Sequence, residues 1–231
     1  MRVSEIYRSV QGEGPRVGLC TTFVRFAGCN LKCPGWACDT QHAIDPALYR
    51  HEWKKMTVDQ LVEEIILITI PEENVCLTGG EPFLQSHKEL KDLVNILSVS
   101  DRHLECFSNG TLRIPEWAFA DINFVLDWKL PGSGETTFNA ETFLANLHTA
   151  LESGPERHAL KFTVTGWSDF QEAVARYSKH VADFRLPVFV GPVWGKLNPD
   201  ELVQWILECD LNWRLTLQTH KYIYPPDQRG V

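Results

Sequence analysis

The sequence predicts an α/β fold, a partial (β/α)6-type TIM barrel with parallel strands, formed by a single domain over residues 1–231. Short β-branched and aromatic runs alternate with amphipathic helical runs at about thirty-residue spacing, which marks βα units joined by right-handed crossovers. Six or so such units are too few to close an eight-stranded barrel, so the barrel stays open. The composition, 231 residues with 44% hydrophobic and 23% charged, suits one sizeable core.

The formal net charge of -8 argues against bulk nucleic-acid binding, which needs a basic face. The longest apolar run, Ile65 to Ile70, is too short to span a bilayer. The opening Met1-Arg2-Val3-Ser4-Glu5 lacks the apolar core of a secretory signal, so a cytoplasmic protein without a membrane segment is expected. Three of the seven cysteines are clustered and four (Cys20, Cys76, Cys106, Cys209) stand singly, which reads as one metal site plus structural thiols.

In chain order, residues 2–10 suit a short strand ending at the loop Gln11-Gly12-Glu13-Gly14-Pro15. Cys20 to Ala27 is a second strand that places Arg25 among apolar neighbours, where a charge needs a partner. It delivers the chain to Cys29, Cys33 and Cys38, after which Asp45 to Lys55 reads as polar and irregular. Thr57 and Gln60 have capping-box spacing, and Leu61, Ile65 and Ile68 mark one helical face. A strand from Glu73 to Thr78 runs into Gly79-Gly80-Glu81-Pro82, and a helix from Ser86 to Leu97 follows. The next strand, His103 to Phe107, ends at Ser108-Asn109-Gly110-Thr111. Ile122 to Trp128 is a strand leading to Lys129, and Asn139 caps a helix from Ala140 to Leu151. Strands at Ala159 to Val164, Pro187 to Val190 and Arg214 to Thr219 alternate with helices at 169–179 and Pro199 to Glu208.

In parallel α/β sheets, segments after the C-terminal ends of strands gather on one rim, where ligands bind. Four such segments carry chemistry here: the cysteine loop, the glycine pair at 79–80, Ser108 to Thr111, and Asp127-Trp128-Lys129. Three thiols within ten residues can reach one metal centre. A four-iron cluster, normally held by four thiolates, would keep one iron open to an external ligand. Zinc would need a fourth protein ligand, and His42 is available. The residues alone leave both readings open. Arg25 likewise suits either a structural ion pair or a bidentate clamp on a substrate carboxylate.

The cysteine loop followed by Gly79-Gly80-Glu81-Pro82 resembles radical S-adenosylmethionine (SAM) enzymes, in which three cysteines hold a [4Fe-4S] cluster and SAM chelates the open iron. The resemblance narrows at Gln11-Gly12-Glu13-Gly14, Arg25, Cys38-Asp39-Thr40, Thr78 to Pro82, Asn109-Gly110-Thr111 and Gln218-Thr219-His220-Lys221-Tyr222. Together these are similar to the 7-carboxy-7-deazaguanine synthase family, from residue 4 to the C-terminus. One departure is the spacing C-x3-C-x4-C in place of C-x3-C-x2-C, with Trp36 where the third thiol is usual.

The resemblance implies a ring contraction of 6-carboxy-5,6,7,8-tetrahydropterin to 7-carboxy-7-deazaguanine with loss of ammonia, on the route to queuosine-type deazapurines. A 5'-deoxyadenosyl radical would abstract a hydrogen atom and later return it. By the same resemblance Cys29, Cys33 and Cys38 hold the cluster, and Ala37, Cys38, Asp39, Gly79, Gly80, Glu81, Asn109, Asp127, Trp128 and Lys129 line SAM. The pterin lies against Val10, Gln11 and Gly12 with Glu13 nearby; Arg25 meets its carboxylate, Thr78 adds a polar contact and Val231 closes the pocket. Thr40 matches the position that holds Mg²⁺, a cation that keeps few protein ligands. A flavodoxin or ferredoxin electron donor and a homodimer are implied. Alternatives are another radical SAM enzyme, such as a glycyl-radical activase, and a zinc-clipped binding protein using the three cysteines and His42.

Overall fold

The computed structural model describes residues 1–36, 38–99 and 102–231. Among them nine strands form one sheet in the order β3-β1-β2-β4-β5-β6-β7-β8-β9. These are β1 (Arg2–Val10), β2 (Cys20–Phe26), β3 (Lys54–Lys55), β4 (Asn74–Gly79), β5 (His103–Ser108), β6 (Asn123–Asp127), β7 (Ala159–Val164), β8 (Val188–Pro192) and β9 (Arg214–Leu215). From β2 through β9 every neighbouring pair is parallel, as the βα alternation requires. β1 is the exception and runs antiparallel to both β2 and β3. The segment between β1 and β2 is short enough for a hairpin and too short for a crossover helix.

The helices are α1 (Gln41–Ile44), α2 (Pro46–Tyr49), α3 (Val58–Ile68), α4 (His87–Ser98), α5 (Glu116–Asp121), α6 (Ala140–Glu152), α7 (Trp167–His180), α8 (Pro199–Glu208) and α9 (His220–Ile223). Thr57 closes a reciprocal capping box with Gln60, and Asn139 accepts from the Thr142 amide. The stretch read as irregular, Asp45 to Lys55, instead holds α2 and β3, and α5 lies between β5 and β6. Elements this short carry too few turns for a hydrophobic period to register. β9 stops at Leu215 rather than Thr219, because the chain leaves the sheet for the β1–β2 hairpin: Gly14 N donates to Thr216 Oγ1 at 3.1 Å and Thr219 N to Gly12 O at 3.2 Å.

Strand alternation divides the sheet into two faces. Val24, Phe26, Leu77, Leu104, Cys106, Phe124, Leu126, Leu160 and Phe162 pack under Leu61, Ile65, Leu90, Leu93, Phe143 and Leu147 of the helices, forming the main core. On the other face Val125, Ala159 and Phe189, with Phe107 against them, make only a small apolar floor. Beside Phe23 and Cys76, the other positions on that face include Arg25, Thr78, Glu105, Asp127 and Lys161, and these polar residues make up the site. No helix among the described residues is long and apolar enough to cross a membrane.

Candidate active site

The cysteine loop leaves β2 beside the end of β4, and backbone bonds join the two. Gly80 N donates to Phe26 O at 3.0 Å and Glu81 N to Gly28 O at 2.8 Å. The approach requires glycine, since a Cβ at Gly80 would lie 2.0 Å from Gly28 O. Glu81 is fully buried and turned inward: its carboxylate accepts from Phe83 N, Ser108 Oγ and Asn109 N at 3.1, 2.9 and 2.9 Å. Burial pushes its pKa up to about 7 against those donors. Its side chain therefore ties the glycine-pair segment to the end of β5, and what this segment offers a ligand is backbone. Asn109, fixed by that bond, points Nδ2 at Asn30 Oδ1 (3.0 Å) and at Cys29 Sγ (3.8 Å).

Cys38 and Cys33 lie close enough to Cys29, and Cys38 to Cys33, to add to the cost of ionising those two thiols. Burial pushes Cys29 up to about 12 and Cys33 up to about 11, so both stay protonated until a metal replaces the proton. Leu31 N donates to Cys29 Sγ at 3.4 Å. Thr40 Oγ1 lies 3.3 Å from Cys38 Sγ and 3.4 Å from Gly79 O, between the third thiol and the glycine pair. Ala37 lies outside the described residues.

Among the described residues no three His, Cys, Asp or Glu side chains close around a single ion. A four-iron cluster makes a different demand, one thiolate for each of three irons, and such ligands stand apart around the cluster. The zinc alternative finds no support at His42, which joins the cysteines in no metal-holding group among the described residues and whose Nε2 lies 2.9 Å from Glu5 Oε1. The expected fourth ligand is already engaged on β1, next to Arg25.

Asp127 and Lys129 flank the thiols from β6. Lys129 Nζ donates to Asp127 Oδ2 at 2.8 Å. Burial disfavours its charge, but Asp127 outweighs that and raises its pKa, so the site keeps a cation beside the thiols. Asp127 Oδ1 is buried without a partner among the described residues, an acceptor awaiting a donor. Three thiols, backbone at the glycine pair and an unpaired buried carboxylate oxygen fit a cluster with SAM bound to it. Trp128 does not join this set. Its ring, 3% exposed, points to the helix-covered face against Phe143 and Phe162, as alternation along the strand demands, and only its backbone remains on the site side.

The β1–β2 hairpin comes from the opposite end of the strands and folds over the open face. Gln11, 3% exposed, donates through Nε2 to Glu105 of β5, while burial raises Glu105 to about 7. Gly12 has no room for a side chain, because a Cβ would lie 2.8 Å from His220 Nδ1. Glu13 pairs with Lys161 of β7, whose ammonium is also 3.9 Å from Asp127 Oδ2. Val10, at the end of β1, is partly exposed. Arg25 lies on the same face, in register with Thr78 of β4. Its Nε donates to Glu5 Oε1 at 2.7 Å and its Nη2 to Tyr7 Oη at 2.9 Å, so within the chain it already has an ion-pair partner.

Asp39, next to Cys38, accepts from Lys221 and Gln218. Burial works against its charge, yet these donors hold its carboxyl below the usual range. The bond couples the cysteine loop to the chain's last helix. Beyond that helix Arg229 pairs with Glu52 at 2.9 Å, and Val231 is half-buried. Lys161 and Lys221 were not among the residues expected at the site. Lys161 carried a visible signal, a charge at an inward position of the apolar strand ALKFTV; Lys221 lies in the family-like segment Gln218 to Tyr222, to which no role was assigned.

Comparison with known proteins agrees with this geometry. Residues 10–112 match a family model described as a 4Fe-4S single cluster domain. The chain is 34% identical to 7-carboxy-7-deazaguanine synthase of Chlorobaculum tepidum, over 100% of this chain and 97% of the relative. It is 31% identical to that of Clostridium acetobutylicum, over 100% and 99%. Among solved structures, QueE from Escherichia coli superposes with TM-score 0.67 at 20% identity, covering 94% of this chain and 92% of that one. A structure of anSMEcpe with bound AdoMet superposes with TM-score 0.55 at 16% identity, covering 85% and 62%. These two share the α/β fold. Near-complete coverage of both chains at more than 30% identity settles the rest: this chain belongs to the 7-carboxy-7-deazaguanine synthase family of radical SAM enzymes.

Proposed function

We propose that the chain contracts 6-carboxy-5,6,7,8-tetrahydropterin to 7-carboxy-7-deazaguanine with release of ammonia, as a step toward queuosine or a related deazapurine. The observation that carries this reading is the β1–β2 hairpin, which brings Gln11, Gly12 and Glu13 over the open face on which Asp127, Arg25 and Thr78 also stand. A site serving only SAM would not need a second polar wall built from the other end of the sheet.

Cys29, Cys33 and Cys38 would hold the cluster, and backbone at Asp39, Gly79 and Gly80, with Asn109, Asp127 and Lys129, would receive SAM. When bound, these cofactors supply one-electron chemistry at a C–H bond that no side-chain base could deprotonate at neutral pH. The chain's own residues do the rest. Gln11, Gly12 and the neighbouring Val10 position the flat heterocycle, and Thr78 adds a hydroxyl. Arg25 receives the substrate carboxylate once it exchanges Tyr7 or Glu5 for the ligand, a bidentate match that lysine would not reproduce. Glu13, held by Lys161, is the carboxylate available to a ring N–H or to the departing nitrogen. Thr40 offers its hydroxyl to Mg²⁺ beside the third thiol, and substrate oxygens and water would complete the shell. Val231 would close the pocket. A small flavoprotein or ferredoxin supplies the electron, and the working form is a homodimer.

The test is anaerobic incubation of the cluster-loaded protein with reductant, SAM, Mg²⁺ and the carboxypterin. Deazaguanine product supports the proposal. Its absence from a preparation with full iron and sulfide content rejects it.

A further inference from the structure

The segment after β6, Pro131-Gly132-Ser133-Gly134-Glu135, matches none of the motifs above, yet the cysteine loop is built onto it. Gly35 N donates to Ser133 O at 2.7 Å, and a Cβ at Gly35 would lie 2.0 Å from Gly132 O. Lys196 reaches Gly35 O from the other side. Trp36 follows directly, with Lys129 Nζ 5.7 Å from its ring centroid. The longer span between the second and third thiols therefore leans toward the β6–α6 connection and is anchored there.

The anchor nearest a ligand is Glu135. Its Oε2 accepts from Lys32 N at 2.7 Å and Cys33 N at 3.1 Å, and its Oε1 is fixed by Thr137 N at 2.8 Å and Thr137 Oγ1 at 2.6 Å. Cys33 sits at φ 44, a left-handed backbone that a residue with a Cβ rarely adopts. Two adjacent amides converging on one carboxylate hold that conformation in place.

We infer that Glu135 is a positioning residue for the cluster: it preforms the Cys33 turn and, by taking up two loop amides, withholds them from the cluster sulfurs. This rests on the assignment of the three thiols to the cluster. Hydrogen bonds to sulfur and nearby charge set the potential of iron–sulfur centres. Fewer amide donors and an added negative charge both make reduced iron harder to form, hence a stronger reductant. Glu135 thus shapes the loop before assembly and lowers the potential afterwards.

The test compares wild type, Glu135→Ala and Glu135→Gln after anaerobic reconstitution. Readouts are iron and sulfide content, the rate of cluster loss to a chelator, and the midpoint potential from a redox titration without substrate. Glu135→Ala is expected to lose cluster severalfold faster. Its reduced-to-oxidised ratio at fixed ambient potential should rise about tenfold, 59 mV for a one-electron couple. Glu135→Gln keeps an acceptor for the loop, so its cluster should be retained near wild-type level while the potential still rises. Thermal unfolding of the apo-proteins separates a loop effect from global misfolding, and Glu135→Gln carries the test if the alanine variant does not fold. Wild-type loss rate and potential in both variants would overturn the inference while leaving the family reaction intact. A wild-type protein that takes up no iron–sulfur cluster would overturn both.

Discussion

Lys161 of β7 is joined to Glu13 of the β1–β2 hairpin across the open face of the sheet, and the same ammonium stands 3.9 Å from Asp127. A residue of the loop assigned to the substrate and one assigned to SAM thus share one buried cation. Burial disfavours the charge on Lys161, but Glu13 and Asp127 reverse that and raise its pKa. Lys161→Met would leave the Glu13 carboxylate without its cation and Asp127 with Lys129 alone. Removing one partner of a buried pair costs about 3–5 kcal/mol, so this variant is predicted to unfold at clearly lower denaturant than wild type. Glu13→Gln keeps an acceptor for Lys161, which also retains Asp127, so it should lose less stability than Lys161→Met and lose turnover. Equal stability of the Lys161→Met protein in a urea titration would contradict the pairing.

Asp127 Oδ1 is a buried acceptor with no partner among the described residues. A ligand that donates to it gains a bond the free protein lacks. Asp127→Asn keeps the shape but halves the acceptors and weakens the bond to Lys129. We predict SAM affinity at least ~10-fold weaker, about 1.4 kcal/mol, measured by anaerobic calorimetry on the cluster-loaded protein. Unchanged affinity would remove Asp127 from the SAM site.

Thr40 and Cys38 are 3.3 Å apart through their side chains but carry different assignments. Cys38→Ala should abolish cluster assembly, read as iron per chain. Thr40→Ala should retain the cluster and lose most of its magnesium dependence in turnover. A wild-type Mg²⁺ response in the threonine variant would contradict its role.

His158 offers a pH test away from the site. Nδ1 accepts from Phe124 N at 3.1 Å and Nε2 lies 3.0 Å from Ser153 Oγ, a pattern that only a neutral ring satisfies. Burial, with Arg157 nearby, depresses its pKa to about 4. An unfolded histidine titrates near 6.5, so between those values the unfolded chain binds a proton that the folded chain refuses. Stability from this group is therefore intact above about pH 6.5 and lost as pH falls toward 4. Denaturant titrations of the apo-protein at pH 7 and 5 should show the fall, and His158→Phe should flatten it while lowering stability at both. An identical pH slope in the variant would refute the assignment.

The parallel strands and long helices were legible because each buries a whole period of apolar residues; Thr57 with Gln60 and the cap at Asn139 also declared themselves locally. What the chain did not announce depends on contacts distant in sequence. The fate of Arg25 turns on Glu5 and Tyr7 across an antiparallel hairpin, and the inward turn of Glu81 on donors from the end of β5. Trp128 was legible in principle: it sits between Asp127 and Lys129, and a strand cannot send all three to one face. The bracing of the cysteine loop by Glu135 lies 102 residues from Cys33 and has no local signature.

The central claim, ring contraction with a cofactor that is regenerated, is tested most directly by stoichiometry under anaerobic single-vessel turnover. Product deazaguanine, released ammonia and consumed SAM are measured together in the cluster-loaded protein. The account predicts ammonia and deazaguanine in a one-to-one ratio, both well in excess of SAM consumed. SAM cleaved without deazaguanine, or product formed without ammonia, would contradict it.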